Sequence, residues 1–187
     1  MMKIKNTLSS FILICLTVSF CNAQTKATAK LPIDETSKLV TYAGVVEIAG
    51  IKADSLYNRA LIWANTYFKN PADVIREKDQ EAGKIVCKAR YKIMNPPDKT
   101  GFQSEGGVVM YTMNLMFKDG RYRYEITEIN WKQASYYPVE KWMDTENAYY
   151  KPEFASYLQQ VDEKSKELVK DLDKGMKTTA PKKKDDW

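Results

Sequence analysis

Apolar and polar side chains alternate along residues 84–94: Ile85, Cys87, Ala89, Tyr91 and Ile93 take one parity, and Lys88, Arg90 and Lys92 the other. A period of two marks a strand with one buried face. Residues 39–48 (LVTYAGVVEI), rich in β-branched side chains, predict an earlier strand closed by Gly50, and residues 73–79 a short one. Residues 107–118 and 121–131 predict a hairpin about Asp119-Gly120, a dipeptide suited to tight turns between strands. In its second arm Tyr122, Tyr124 and Ile126 share a face, whereas Ile129 and Trp131 have the opposite parity. Burying both sets requires a bulge near Thr127-Glu128.

Two segments change to a helical period. Over residues 54–69, Leu56, Ala60, Trp63, Ala64, Tyr67 and Phe68 recur at three- and four-residue spacing, with Asp54 as the expected N-cap and Asn70-Pro71 as the stop. Over residues 153–174, Phe154, Leu158, Val161, Leu168 and Leu172 form a stripe that includes Ser165, and Gly175 is the expected C-terminal stop. Between the hairpin and this helix, residues 132–152 read as irregular and aromatic. The order strand, helix, four strands, helix predicts an α+β fold: an antiparallel sheet with helices packed on one face.

The ends have a different character. Lys3 and Lys5 precede the apolar run LSSFILICLTVSF at residues 8–20, and Cys21-Asn22-Ala23 places small residues before a cleavage point between Ala23 and Gln24. Residues 1–23 are therefore expected to be a signal peptide, and the mature protein is expected in the periplasm or secreted. The run is shorter than the roughly 20 residues of a membrane-spanning helix, so no transmembrane segment is expected in the mature chain. An uncleaved anchor and a lipidated Cys21 are the alternatives. Run length argues against the first, and the bulky Phe20 against the second. Residues 24–30 are expected to be a linker, 31–175 a single domain, and 176–187 a charged, disordered tail.

Composition narrows function mainly by exclusion. The formal charge of +5 comes largely from the ends, and residues 31–174 carry about −1. A nucleic-acid binder relies on a basic face, so nucleic acid is not an expected partner. The sequence has no histidine, which rules out Ser-His-Asp and Cys-His catalysis and histidine zinc sites. Cys87 alone survives signal cleavage, so no internal disulfide forms; its place in an alternating strand predicts a buried apolar role. No phosphate-binding loop, dinucleotide fingerprint or nucleophile elbow occurs, and no cofactor or metal is expected.

Two sets of side chains remain. Tyr122, Tyr124, Trp131, Tyr136, Tyr137 and Trp142 combine apolar bodies with polar tips, which suits a site for a peptide, glycan or lipid and equally suits a core. Glu125 and Glu128 are a carboxylate pair that could serve a glycosidase only by facing one cleft. The leading expectation is an exported, non-catalytic binding or interaction domain, its partner an unknown envelope protein, peptide, glycan or lipid. A carboxylate enzyme acting on envelope glycans and a self-associating structural protein, for instance a homodimer paired through sheet edges, are the alternatives.

The segments LPIDETSKLVTYAGVVEI, LYNRALIWANTYF and EAGKIV together resemble a family of bacterial exported proteins, found mainly in Bacteroidetes and described as a domain of unknown function with a TATA-binding-protein-like fold. The resemblance covers about residues 31–130. It implies the same β-α-β4-α order and no activity, and it assigns a role to no residue. The TATA-binding protein builds its saddle from two such repeats, whereas this chain has one, so the fold label implies no DNA binding.

Overall fold

A computed structural model describes residues 29–178. The expected signal peptide, the Ala23–Gln24 cleavage point, most of the linker and the last nine residues of the tail lie outside the described residues.

Six strands form one antiparallel sheet: β1 (Tyr42–Glu47), β2 (Ile75–Asp79), β3 (Lys84–Met94), β4 (Glu105–Lys118), β5 (Arg121–Lys132) and β6 (Tyr136–Pro138). Their spatial order is β1-β5-β4-β3-β2. The side of β5 away from β4 is shared: β1 pairs with Arg121–Ile126, and β6 with Asn130–Lys132. Helix α1 (Ala53–Tyr67) and helix α3 (Glu153–Lys177) pack on the same face. That face carries Ile85, Cys87, Val109, Met113, Leu115, Tyr122 and Ile126, all buried. Among the described residues no helix covers the other face. The segment expected to be irregular holds β6 and a 3₁₀ turn at Val139–Trp142, and a four-residue helix α2 (Pro71–Val74) joins α1 to β2.

The expected bulge is present. Met110 pairs with Asn130 and Thr112 with Thr127, so Tyr111 alone faces Glu128 and Ile129. Glu128 takes a left-handed φ of 51°. The extra residue restores the inward parity of Ile129 after Ile126, and both are 1% exposed.

Two helix boundaries differ from expectation. Asp54 does not cap α1; it lies in the first turn, and the side chain of the N-cap residue Lys52 makes no cap bond. The cap comes from the distant hairpin turn. Asp119 accepts the Ala53 N–H at 2.9 Å and the Lys52 ammonium at 2.7 Å. Next to it, the Gly120 N–H donates to the Ile51 carbonyl at 2.8 Å. The turn thus docks the start of α1 onto the β4–β5 hairpin, satisfying a helix-end donor that local sequence leaves open.

Gly175 does not stop α3, which continues to Lys177 and buries Met176. Gly175 serves close approach instead: a Cβ there would lie 2.6 Å from Trp63 Cδ1 on α1. Gly to Ala in an exposed helix interior gains about 1 kcal/mol. Here Gly175→Ala is expected to lose about 1–3 kcal/mol in urea unfolding, because the helices must separate. A gain would show that α1 and α3 do not meet at this distance.

Candidate functional site

The structure distributes the six aromatic candidates among several places. Trp131, Tyr137 and Trp142 join one cluster with Phe154 and Tyr157 of α3. Trp142 is 0% exposed, its ring centroid 5.5 Å from Phe154 and 5.6 Å from Trp131. Tyr137 lies edge-on to Trp131 and beneath the Lys141 ammonium, 5.2 Å from its ring centroid. Tyr122 is buried under the helices, its hydroxyl 3.5 Å from Asp173. Tyr124 borders a groove between β1 and α3. Tyr136, the first residue of β6, is 66% exposed. The six do not share one surface, and three of them lock the start of α3 to the end of β5.

The bulge brings Glu125 and Glu128 to the same open face of the sheet, because the extra residue cancels their opposite parity. They nevertheless have separate partners. Glu125 accepts from Asn114 at 3.2 Å and Arg123 at 2.8 Å, whereas Glu128 accepts from Thr112 at 2.6 Å and lies 3.7 Å from Lys88. Glu128 lines a small cleft of about 290 Å³ that Glu125 does not line; the other carboxylate there is Glu140. One Glu140 oxygen holds the Val40 N–H at 2.6 Å, and the other is buried without a partner among the described residues. Glu140 escaped the sequence reading because nothing local distinguishes it from a surface carboxylate.

The largest of three concavities among the described residues is a cleft of about 970 Å³ beside β3. Its walls are the α1–β2 connection from Tyr67 to Val74 on one side and Lys164, Ser165 and Leu168 of α3 on the other. Lys88, Ala89, Arg90 and Tyr91, four successive residues of β3, run along it, with Tyr111, Ile126 and Ile129 at the sheet. The volume lies at the upper end of the usual range for ligand sites, about 300–1,000 Å³.

Tyrosine hydroxyls cluster beside this cleft. Tyr42 donates to Asp162 at 3.0 Å. The rings of Tyr91 and Tyr111 lie 6.0 Å apart. The Tyr91 hydroxyl is buried and has no hydrogen-bond partner among the described residues. Burial raises the pKa of Tyr42, Tyr91 and Tyr111 well above the ordinary phenol value, so all three stay protonated donors. Burial likewise pushes the Cys87 thiol up to about 12, consistent with an unreactive core side chain. Among the described residues no group of three or more acidic or cysteine side chains could hold a metal, and no helix is long and apolar enough to cross a membrane.

Residues 42–132 match the model of a family described as a domain of unknown function (DUF4468) with TBP-like fold. Among solved structures, a DUF4468 family protein from Bacteroides ovatus is similar with a TM-score of 0.63 at 17% identity, over 81% of this chain and 94% of that one. A TBP-like protein from Parabacteroides distasonis is similar with a TM-score of 0.61 at 15% identity, over 80% of this chain and 98% of that one. At such identities the likeness concerns the fold. No curated protein matches the chain.

Proposed function

Residues 42–132 belong to the DUF4468 family of domains with a TBP-like fold, and from that premise we propose that the chain is an exported, non-catalytic binding domain whose ligand site is the cleft beside β3. The family has no assigned activity, so the reading comes from this chain's own geometry. The observation that carries it is the Tyr91 hydroxyl. A buried donor without a partner costs roughly 1–3 kcal/mol, and this one belongs to a residue that lines the largest cleft. A ligand or ordered water that accepts from it would recover that cost.

Two results test the site. Tyr91→Phe is expected to raise the stability of the free protein by about 1 kcal/mol in urea unfolding, since it removes a buried unpaired hydroxyl. A loss of similar size would show that the hydroxyl is satisfied. The neutral fluorophore N-phenyl-1-naphthylamine is expected to brighten on entering the cleft and to shift the NMR resonances of Tyr67, Ala89 and Leu168. Shifts confined to the Trp131–Trp142 cluster would move the site to the aromatic residues.

Export is proposed from the charged, apolar and small-residue order of residues 1–23. The mature chain recovered from its native host is expected to have the intact mass of a protein beginning at Gln24. A retained N-terminus or a lipid on Cys21 would replace export of a free domain with anchoring.

A further inference from the structure

Strand β3 has an open edge. On its outer side β2 pairs only with Lys84–Cys87, although β3 runs on to Met94. Two bonds show which backbone groups of β3 face that side. The Gly83 carbonyl accepts from Phe117 N–H of β4, so odd-numbered residues bond towards β4. Met94, an even position, turns outward: its N–H donates to Gln160 Oε1 at 2.8 Å, and its carbonyl accepts from Gln160 Nε2 at 2.8 Å. The α3 side chain thus takes the place of one residue of a missing strand. By the two-residue period, Lys88, Arg90 and Lys92 also direct N–H and C=O outward. The Ile75–Cys87 pair sets Val74 against Lys88, but beyond it no strand among the described residues pairs with Arg90 or Lys92 on that side.

The large cleft follows this edge. That is why its lining includes consecutive β3 residues from both faces: Ala89 and Tyr91 on the helix side, Lys88 and Arg90 on the open side. We propose that residues 90–92 of β3 accept an extended peptide as an added strand, with acidic side chains over the open face and apolar side chains turned into the cleft. This rests on the cleft being the ligand site.

The two faces of the edge specify opposite chemistry. On the helix side an added strand meets Phe68, Tyr91 and Leu168. On the open side it meets Lys88, Arg90 and Lys92, and Arg76 also borders the cleft. Lys88 and Lys92 are partly neutralised by Glu128 and Glu105, at 3.7 and 2.6 Å, whereas Arg90 and Arg76 have no ion pair among the described residues. Charged edges discourage self-pairing: a second copy of this edge would set the same bases against one another, and an acidic strand is complementary. In such strand addition the backbone bonds provide affinity and alternate side chains provide specificity.

The test uses the full-length chain, isotope-labelled, in three steps. First, the amides of Arg90 and Lys92 are expected to exchange with solvent at least tenfold faster than those of Ala89 and Tyr91; slow exchange at both would mean a closed edge and overturn the proposal. Second, a pool of hexapeptides with Glu at alternate positions and Val, Ile, Leu or Tyr between them is expected to shift and protect those two amides. The same pool N-methylated at alternate residues, or with Lys in place of Glu, is expected to bind at least tenfold more weakly. Third, Arg90→Glu, an exposed substitution, is expected to weaken the Glu pool and strengthen the Lys pool. If N-phenyl-1-naphthylamine enters the cleft but no peptide pool binds, strand addition fails while the cleft reading stands; oleate displacing the fluorophore in that case would assign the cleft to an acyl anion. If the fluorophore does not enter either, both fall.

Discussion

Trp142→Ala is expected to destabilise the protein by about 3–5 kcal/mol, the usual cost of truncating a buried aromatic side chain to alanine. Trp142 is 0% exposed and contacts Trp131, Phe154 and Tyr157 at ring separations of 5.3–5.6 Å. Its loss leaves a cavity between the end of β5 and the start of α3, two segments otherwise joined by an extended loop. Against a typical total stability of about 5–15 kcal/mol, the urea midpoint should fall sharply with the m-value unchanged. Trp142→Phe should cost less, about 1–2 kcal/mol, because stacking on Phe154 is retained and the indole N–H, buried without a partner among the described residues, is removed. An unchanged midpoint for Trp142→Ala would mean that this cluster does not hold the fold together, and the aromatic residues would again become candidates for a binding surface.

Gly107→Ala is expected to cost a similar amount, about 3–5 kcal/mol, from two sources. The backbone there has a φ of +126°, which side chains with a Cβ rarely adopt, and the added methyl would lie 2.3 Å from Trp131 Nε1. Trp131 cannot readily give way, since its indole donates to the Gly106 carbonyl at 3.2 Å and its ring packs against Trp142. Gly101 provides the control. It has a φ of +85° but open space around its Cβ position, so Gly101→Ala should show backbone strain alone, about 1–2 kcal/mol. Equal losses at the two positions would show that contact with Trp131 adds nothing.

These glycines illustrate how far local reading extends. Gly120 was legible as a turn residue because its role depends on its immediate neighbours. Gly107 and Gly175 were not, because each is required by a tryptophan distant in the chain. Gly175 looked like a helix stop for the same reason: a glycine near the end of an apolar stripe usually serves that purpose, and only Trp63 on α1 shows that this one allows close packing. The cap of α1 is a parallel case. Asp54 had the right residue type and place, yet Asp119, 66 residues away, accepts the Ala53 N–H.

The candidate site was less legible than the fold. The aromatic residues were read as a group from proximity in sequence, but strand parity sends Tyr122 under the helices and Tyr136 to solvent. The cleft beside β3 was not anticipated. Its lining comes from three helices, five strands and the loop after α1, and no short segment contains enough of it to leave a pattern. Tyr91 was recognised only as an inward strand position.

Hydrophobic period and turn chemistry by themselves determined β1 to β5, both long helices, the hairpin and the bulge at Glu128, because each depends on whether neighbouring side chains face water or core. Only the tertiary structure decided where β2 stops along β3, which edge is left open and which hydroxyl is buried beside it. Those depend on how segments far apart in the chain meet, and local alternation carries no information about which strand lies alongside another or how far it runs.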